Sequence, residues 1–245
     1  MDGAASDPVP HPPIVSPEDW RDRRLRLLAS EKALTKHYDQ VSAERRRLPM
    51  VRNGKDYAFD APDGRKRFVE LFEGRRQLIV YHFMFDPDWE KGCGGCTYFV
   101  NSQGDLSGLH ERDTTFALVS RAPLAKLEAY KAQKGWRFRW YSSFGSDFNY
   151  DFHVTLDASV TPVEYNYRTA AELLAINSPN AAEGEEHGLS VFFRLGDDIF
   201  HTYSTYARGT ELLFDTATLL DQTPYGRQQS FEDSPPGWPQ RATYG

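Results

Sequence analysis

The sequence predicts an α/β protein with a central mixed sheet flanked by helices, and three observations carry that expectation. Residues 78–85, Leu-Ile-Val-Tyr-His-Phe-Met-Phe, form a nearly unbroken apolar run, the pattern of a strand covered on both faces. Residues 115–119 repeat the pattern one helix-length later. Residues 189–194 and 199–204 then read as a hairpin across Gly196-Asp197-Asp198. Parallel strands joined through helices and closed by an antiparallel hairpin make a mixed sheet.

The other elements follow in chain order. Residues 1–16, rich in proline and acidic side chains, read as a disordered lead. Ser16-Pro17-Glu18-Asp19 supplies an N-cap, a proline at N1 and an acidic first turn, so an N-terminal helical extension is expected over 17–49. Trp20, Leu27, Leu28, Leu34, Tyr38 and Val41 share one face of it. Such a stripe needs cover, either from its own domain or from a second subunit in a homodimer. A short strand near 57–59 and a turn at Pro62-Asp63-Gly64 lead into the main domain, expected over 50–230. A short helix follows residue 93 and ends before Asp105, and Pro123 opens another that runs to Lys134 and stops at Gly135. Residues 136–141 alternate as a half-exposed strand would. An insert between Asp157 and Gly188 precedes the hairpin; it holds one short helix near 169–175 and places Glu183-Gly184-Glu185-Glu186 at the surface. A last helix over 210–220 and a disordered tail over 231–245 complete the chain.

Composition narrows the function classes. The 245 residues are 40% apolar and 26% charged, which suits a domain with a real core. The net charge of −6, with no clustered basic face, argues against a nucleic-acid partner. Arg45-Arg46-Arg47 ends a helix, where cations suit the dipole. No apolar run approaches a membrane span and no secretory h-region opens the chain, so a cytoplasmic protein with no membrane partner is expected. In that compartment structural disulfides are rare, and the two cysteines lie three positions apart.

That pair, Cys93-Gly94-Gly95-Cys96, follows a buried strand and opens a helix. A helix N-terminus offers free N–H groups and a partial positive charge, both of which stabilise a thiolate. With two residues between them, the second sulfur lies one turn on, in reach of an intramolecular disulfide. Cys93 is expected to attack, aided by Lys91, and Cys96 to resolve; the substrate is a thiol or disulfide, and no cofactor is required. The other chemistry open to two thiolates is copper or zinc binding, with His82 as a further ligand. A non-catalytic binding module using the aromatic cleft is a third reading. Trp89, Arg121, Trp140 and Tyr203 are candidate substrate-binding residues, the first from the loop before the dithiol and the others from strand ends and aromatic clusters. The peroxidase pattern Pro-x-x-x-Thr/Ser-x-x-Cys fails here, with Asp86 and Glu90 at its two defining positions.

Several blocks resemble one family. Residues 77–85, Val119-Ser120-Arg121-Ala122-Pro123, Tyr141-Ser142-Ser143, residues 147–152 and residues 201–209 are similar to the thioredoxin-like domain-of-unknown-function family 899, over about 20–227 of the chain. The resemblance implies a thioredoxin-like fold and the label of dithiol–disulfide oxidoreductase. It implies no substrate. Members commonly carry Pro-Ser between the cysteines, where this chain has Gly94-Gly95, and thioredoxins place a proline where His187-Gly188 stand here.

Overall fold

The computed structural model describes residues 9–176, 178 and 183–241. Half of the expected lead (1–8), part of the insert and the end of the expected tail (242–245) lie outside the described residues. In chain order the elements are α1 (Pro17–Arg45), β1 (Val51–Arg52), β2 (Ala58–Ala61), β3 (Gly64–Arg67), a 3₁₀ turn at Phe68–Phe72, β4 (Gln77–His82), α2 (Gly94–Asn101), α3 (Ser107–His110) and β5 (Thr114–Ser120). They continue with α4 (Leu124–Lys134), β6 (Arg139–Ser142), α5 (Phe148–Asp151), β7 (Thr155–Leu156), β8 (Glu164–Tyr165), β9 (Arg168–Thr169) and α6 (Ala170–Ala175). Then come β10 (Gly184–Glu185), β11 (Gly188–Leu195), β12 (Asp198–Tyr206), a 3₁₀ segment at Ala207–Leu213 and α7 (Asp215–Leu220).

The main sheet has eight strands in the order β1-β12-β11-β4-β5-β6-β2-β3. β4, β5 and β6 run parallel, while β11 pairs antiparallel with both β4 and β12. A parallel pair joined through a helix and flanked by an antiparallel hairpin on the first strand's other edge is the thioredoxin-like arrangement. The expected fold class is therefore the observed one. The hairpin turns through Gly196, whose φ of +61° suits the first central position of a two-residue primed turn.

Both faces of β4 are covered, as its apolar run requires. Tyr81 points to the α2 side, where its ring stacks on Phe99 at 3.9 Å. Phe83, beyond the strand end, meets Tyr130 of α4 and Trp140 of β6. Leu78 and Val80 point the other way, into a core with Ala117, Val119, Phe148, Phe152 and Phe192. His82 joins that second face and lies against Phe148 and Phe152.

The structure revises several local expectations. The expected alternation holds over residues 136–140, but β6 itself starts only at Arg139, and Trp140, Tyr141 and Ser142 are all buried, because β5 and β2 flank the strand and α4 covers one face. The last helix is broken at Phe214, an extended residue buried against Tyr98 and Phe99 that separates the 3₁₀ segment from α7. Glu185 is not at the surface but in β10, with a side chain only 1% exposed.

The described residues form two compact units, residues 49–214 and a second made of residues 9–48 with residues 215–241. Residues 215–230, expected with the main domain, thus group with α1. In the second unit Ser16 caps α1, none of whose residues is buried, and Trp20, Leu27, Leu34 and Tyr38 are exposed. The expected tail is held in part: Trp238 meets the Tyr225 ring, and the Glu232 carboxylate accepts the backbone N–H groups of Arg227 and Gln229. Among the described residues no helix is long and apolar enough to cross a membrane.

A polar chain threads the second face of the sheet. His82 Nε2 hydrogen-bonds Ser190 Oγ at 2.8 Å, Ser190 meets Ser204 at 2.7 Å, and Ser204 meets His201 Nε2 at 2.7 Å. Burial lowers the His82 pKa to about 3, with a smaller contribution from His201. Its folded value lies below the ordinary 6.5, so the unfolded chain takes up a proton on acidification that native His82 refuses. Wild-type stability should therefore fall relative to His82→Phe as pH drops from 6.5 toward 3. Denaturant midpoints measured across that window check this, and parallel profiles for the two proteins would contradict it.

A candidate dithiol site

Cys93 is the N-cap of α2, and the helix begins at Gly94 despite the two glycines. Thr97 holds the first turn twice, its N–H donating to the Cys93 carbonyl at 2.9 Å and its hydroxyl at 2.8 Å. The same hydroxyl lies 2.9 Å from the Tyr130 hydroxyl of α4. Cys93 is half-buried and Cys96 fully buried, both as free thiols.

The two sulfurs differ sharply. Cys93 is lowered to about 6, chiefly by a hydrogen bond from the Cys96 thiol and further by the backbone N–H groups of Cys96 and Gly95, against an opposing effect of burial. Exposed Lys91 is not among these influences, so the cation expected to help is replaced by donors of the helix itself. Burial drives Cys96 well above an ordinary thiol, and its hydrogen bond to Cys93 adds to this. Two donors act the other way: the Tyr81 hydroxyl and the Met84 N–H, the latter 3.4 Å from the sulfur.

The loop before the dithiol is fixed from both sides. Lys126 of α4 donates to the carbonyls of Pro87 at 2.5 Å and Trp89 at 3.0 Å. Arg121, at the end of β5, pairs with Asp86 in the loop and with Glu185 Oε1 at 2.7 Å. Glu185 also accepts from Thr155 Oγ1 at 3.0 Å. Gly92 passes so close to Phe83 that a Cβ there would stand 2.6 Å from the ring and 3.4 Å from Tyr130.

Of the residues singled out from sequence, the structure brings together Cys93 and Cys96 and places Trp89 in the adjoining loop. Arg121 braces that loop through two carboxylates. Trp140 is a correction: it is 2% exposed, donates to Ser120 Oγ at 2.9 Å and packs on Phe83 and Phe85, so it belongs to the core and not to a cleft. Tyr203 lies in β12 opposite Val191, two strands from β4. The metal set with His82 is not assembled: adjacent strand residues point to opposite faces, and Tyr81 takes the dithiol side. Among the described residues no group of three or more metal-ligating side chains converges.

Tyr81, Lys126 and Glu185 were not singled out from sequence. Tyr81 left one signal, a hydroxyl in an apolar run at even spacing from Phe83 and hence on the same face. Glu185 left none, because its partner Arg121 is distant in sequence.

The model of one family, described as a bacterial protein of unknown function (DUF899), matches residues 9–244. The chain belongs to this family. No curated protein matches this chain. Among solved structures, PrxQ of Xylella fastidiosa is 10% identical, with a TM-score of 0.41 over 70% of this chain and 94% of that one. Peroxidoxin BcpB of Mycobacterium tuberculosis is 13% identical, with a TM-score of 0.40 over 68% and 92%. A yeast mitochondrial 1-Cys peroxiredoxin is 15% identical, with a TM-score of 0.36 over 71% and 78%. Likenesses this distant say nothing of substrate or chemistry.

Two outcomes follow for this DUF899 protein. Thiolate absorbance of the reduced chain should rise with a midpoint near 6 and vanish from that range in Cys93→Ser; a midpoint at the ordinary thiol value would refute the donor arrangement. Gly92→Ala should destabilise by about 1–3 kcal/mol through overpacking against Phe83. Thermal unfolding reads that loss, and an unchanged midpoint would show that the loop yields at no cost.

Proposed function

We propose that this DUF899 protein is a thiol–disulfide oxidoreductase, with Cys93 as the attacking sulfur and Cys96 as the resolving one. The observation that carries this reading is the inequality of two sulfurs one helical turn apart. Cys93 is half-exposed and surrounded by donors that favour its anion, whereas Cys96 is buried and favoured as the thiol.

The chemistry balances within the pair and a disulfide substrate. The Cys93 thiolate attacks one sulfur of R–S–S–R; a Cys93–S–R bond forms and RS⁻ leaves with the bonding pair. Cys96 then gives up its proton and attacks the Cys93 sulfur, forming the Cys93–Cys96 disulfide and expelling the second RS⁻. Protons from Cys96 and solvent complete two RSH. The protein is oxidised by two electrons and the substrate reduced by two. An external thiol that reverses these steps returns the dithiol, and a compartment that keeps thiols reduced, as expected of the cytoplasm, suits that cycle. Trp89 and the braced loop stand nearest in sequence to Cys93 and are proposed to receive the substrate.

Cys96→Ser is expected to accumulate a mixed disulfide on Cys93 when challenged with a low-molecular-weight disulfide, while Cys93→Ser accumulates none. Intact-mass and peptide mapping separate the cases. Preferential modification of Cys96 in the wild type, or equal and slow reaction at both, would defeat the exchange mechanism.

A further inference from the structure

Tyr81 belongs to β4, yet its polar end serves α2. Its ring is 1% exposed and lies flat on Phe99, with 3.9 Å between centroids and 10° between planes. Phe99 and Cys96 are three residues apart on α2 and therefore share a face. That stacking turns Tyr81 toward the face of α2 that carries Cys96, and its hydroxyl acts on the Cys96 thiol in the direction that favours the anion. The Met84 N–H reaches the same sulfur from the extended chain beyond β4, at 3.4 Å. A phenol buried this deeply needs a partner, and the group on the facing turn of α2 is the Cys96 thiol.

We propose that the Tyr81 hydroxyl, together with the Met84 N–H, makes Cys96 competent as the resolving sulfur by donating hydrogen bonds to its thiolate. The inference rests on the oxidoreductase reading above and assigns it a residue outside the Cys-x-x-Cys motif. In the reduced protein the Cys96 proton is directed at the Cys93 thiolate, and the phenol and amide occupy the sulfur's lone pairs. Once Cys93 carries R–S, that thiolate is gone, and the Cys96 proton passes to solvent or to the RS⁻ released in the first step, leaving an anion in an apolar enclosure. Burial alone would leave the thiolate too costly to form. Two donors already aimed at the sulfur stabilise it without rearrangement, and the anion then attacks Cys93 and expels RS⁻. The asymmetry of the pair thus has two sources. Helix donors activate Cys93 before the first step, and strand donors support Cys96 in the second.

The test uses the full reduced chain and the aromatic disulfide dithiobis(nitrobenzoate) in stopped flow. Attack by Cys93 releases one nitrothiobenzoate, and displacement by Cys96 releases the second. Tyr81→Phe keeps the stacked ring and removes the donor. Its first phase should match the wild type, and its second should slow by about 10-fold, the effect of losing one hydrogen bond to a charged group. Difluorotyrosine placed at position 81, a stronger donor of nearly the same shape, should quicken the second phase alone by about 2-fold. Equal second phases in the wild type and Tyr81→Phe would overturn the role of Tyr81, as would equal slowing of both phases, the sign of a merely loosened core. If Tyr81→Phe does not fold, an unchanged second phase in the fluorinated protein overturns it instead. A wild type that releases one equivalent and forms no Cys93–Cys96 disulfide removes the oxidoreductase reading itself; two equivalents with no Tyr81 effect remove only this inference.

Discussion

The first turn of α2 is held against the end of β4 by Cys96 and Phe99, which press on Tyr81 and on the Met84 backbone. This docking sets the depth of each sulfur. One face of the turn is buried with Cys96 and Thr97, and the other leaves Cys93 at the helix edge with the N–H groups of Gly95 and Cys96 turned toward it. A helix rotated or lifted from the strand would make the two thiols alike.

What holds α2 in place is distributed over both neighbours. Thr97 and Tyr130 tie it to α4, Trp136 donates to Asn101 at its end at 2.8 Å, and the preceding loop is fastened by Lys126 and Arg121. The Arg121 side chain is 22% exposed. A half-buried guanidinium between Asp86 and Glu185 is compensated by two carboxylates, so it acts as a brace between β5, the loop and β10 and not as an open anion receptor. Burial alone would raise Glu185, and the guanidinium and the Thr155 hydroxyl oppose that rise without cancelling it.

The two faces of β4 do different work. The face toward α2 and α4 carries Tyr81 and then Phe83, and it serves the dithiol. The opposite face carries Val80 and His82 into an aromatic core with Phe148, Phe152 and Phe192. The chain of His82, Ser190, Ser204 and His201 crosses three adjacent strands there through His82 Nε2, while His82 Nδ1 is buried with no hydrogen-bond partner. Because the strand separates them, His82, one residue from Tyr81, lies on the face away from the dithiol.

The amino-acid sequence determined the elements that depend on local pattern. Two continuous apolar runs, a glycine turn between alternating segments and a capped, proline-started helix specify β4, β5, the hairpin and α1 whatever surrounds them, since pleat, turn and cap are properties of near neighbours. The same locality made Cys93 and Cys96 readable, because their spacing on a helix is itself their geometry. Tertiary structure alone decided which side chains turn toward that pair. Tyr81 and His82 are neighbours in an apolar run, and only the docking of α2 on one face of β4 makes the first a partner of sulfur and the second a core residue. Glu185 looked like part of a solvated acidic loop until Arg121 came to it across 64 positions of sequence. A buried anion needs an opposite charge or aimed donors around it, and that meeting is a property of the folded chain.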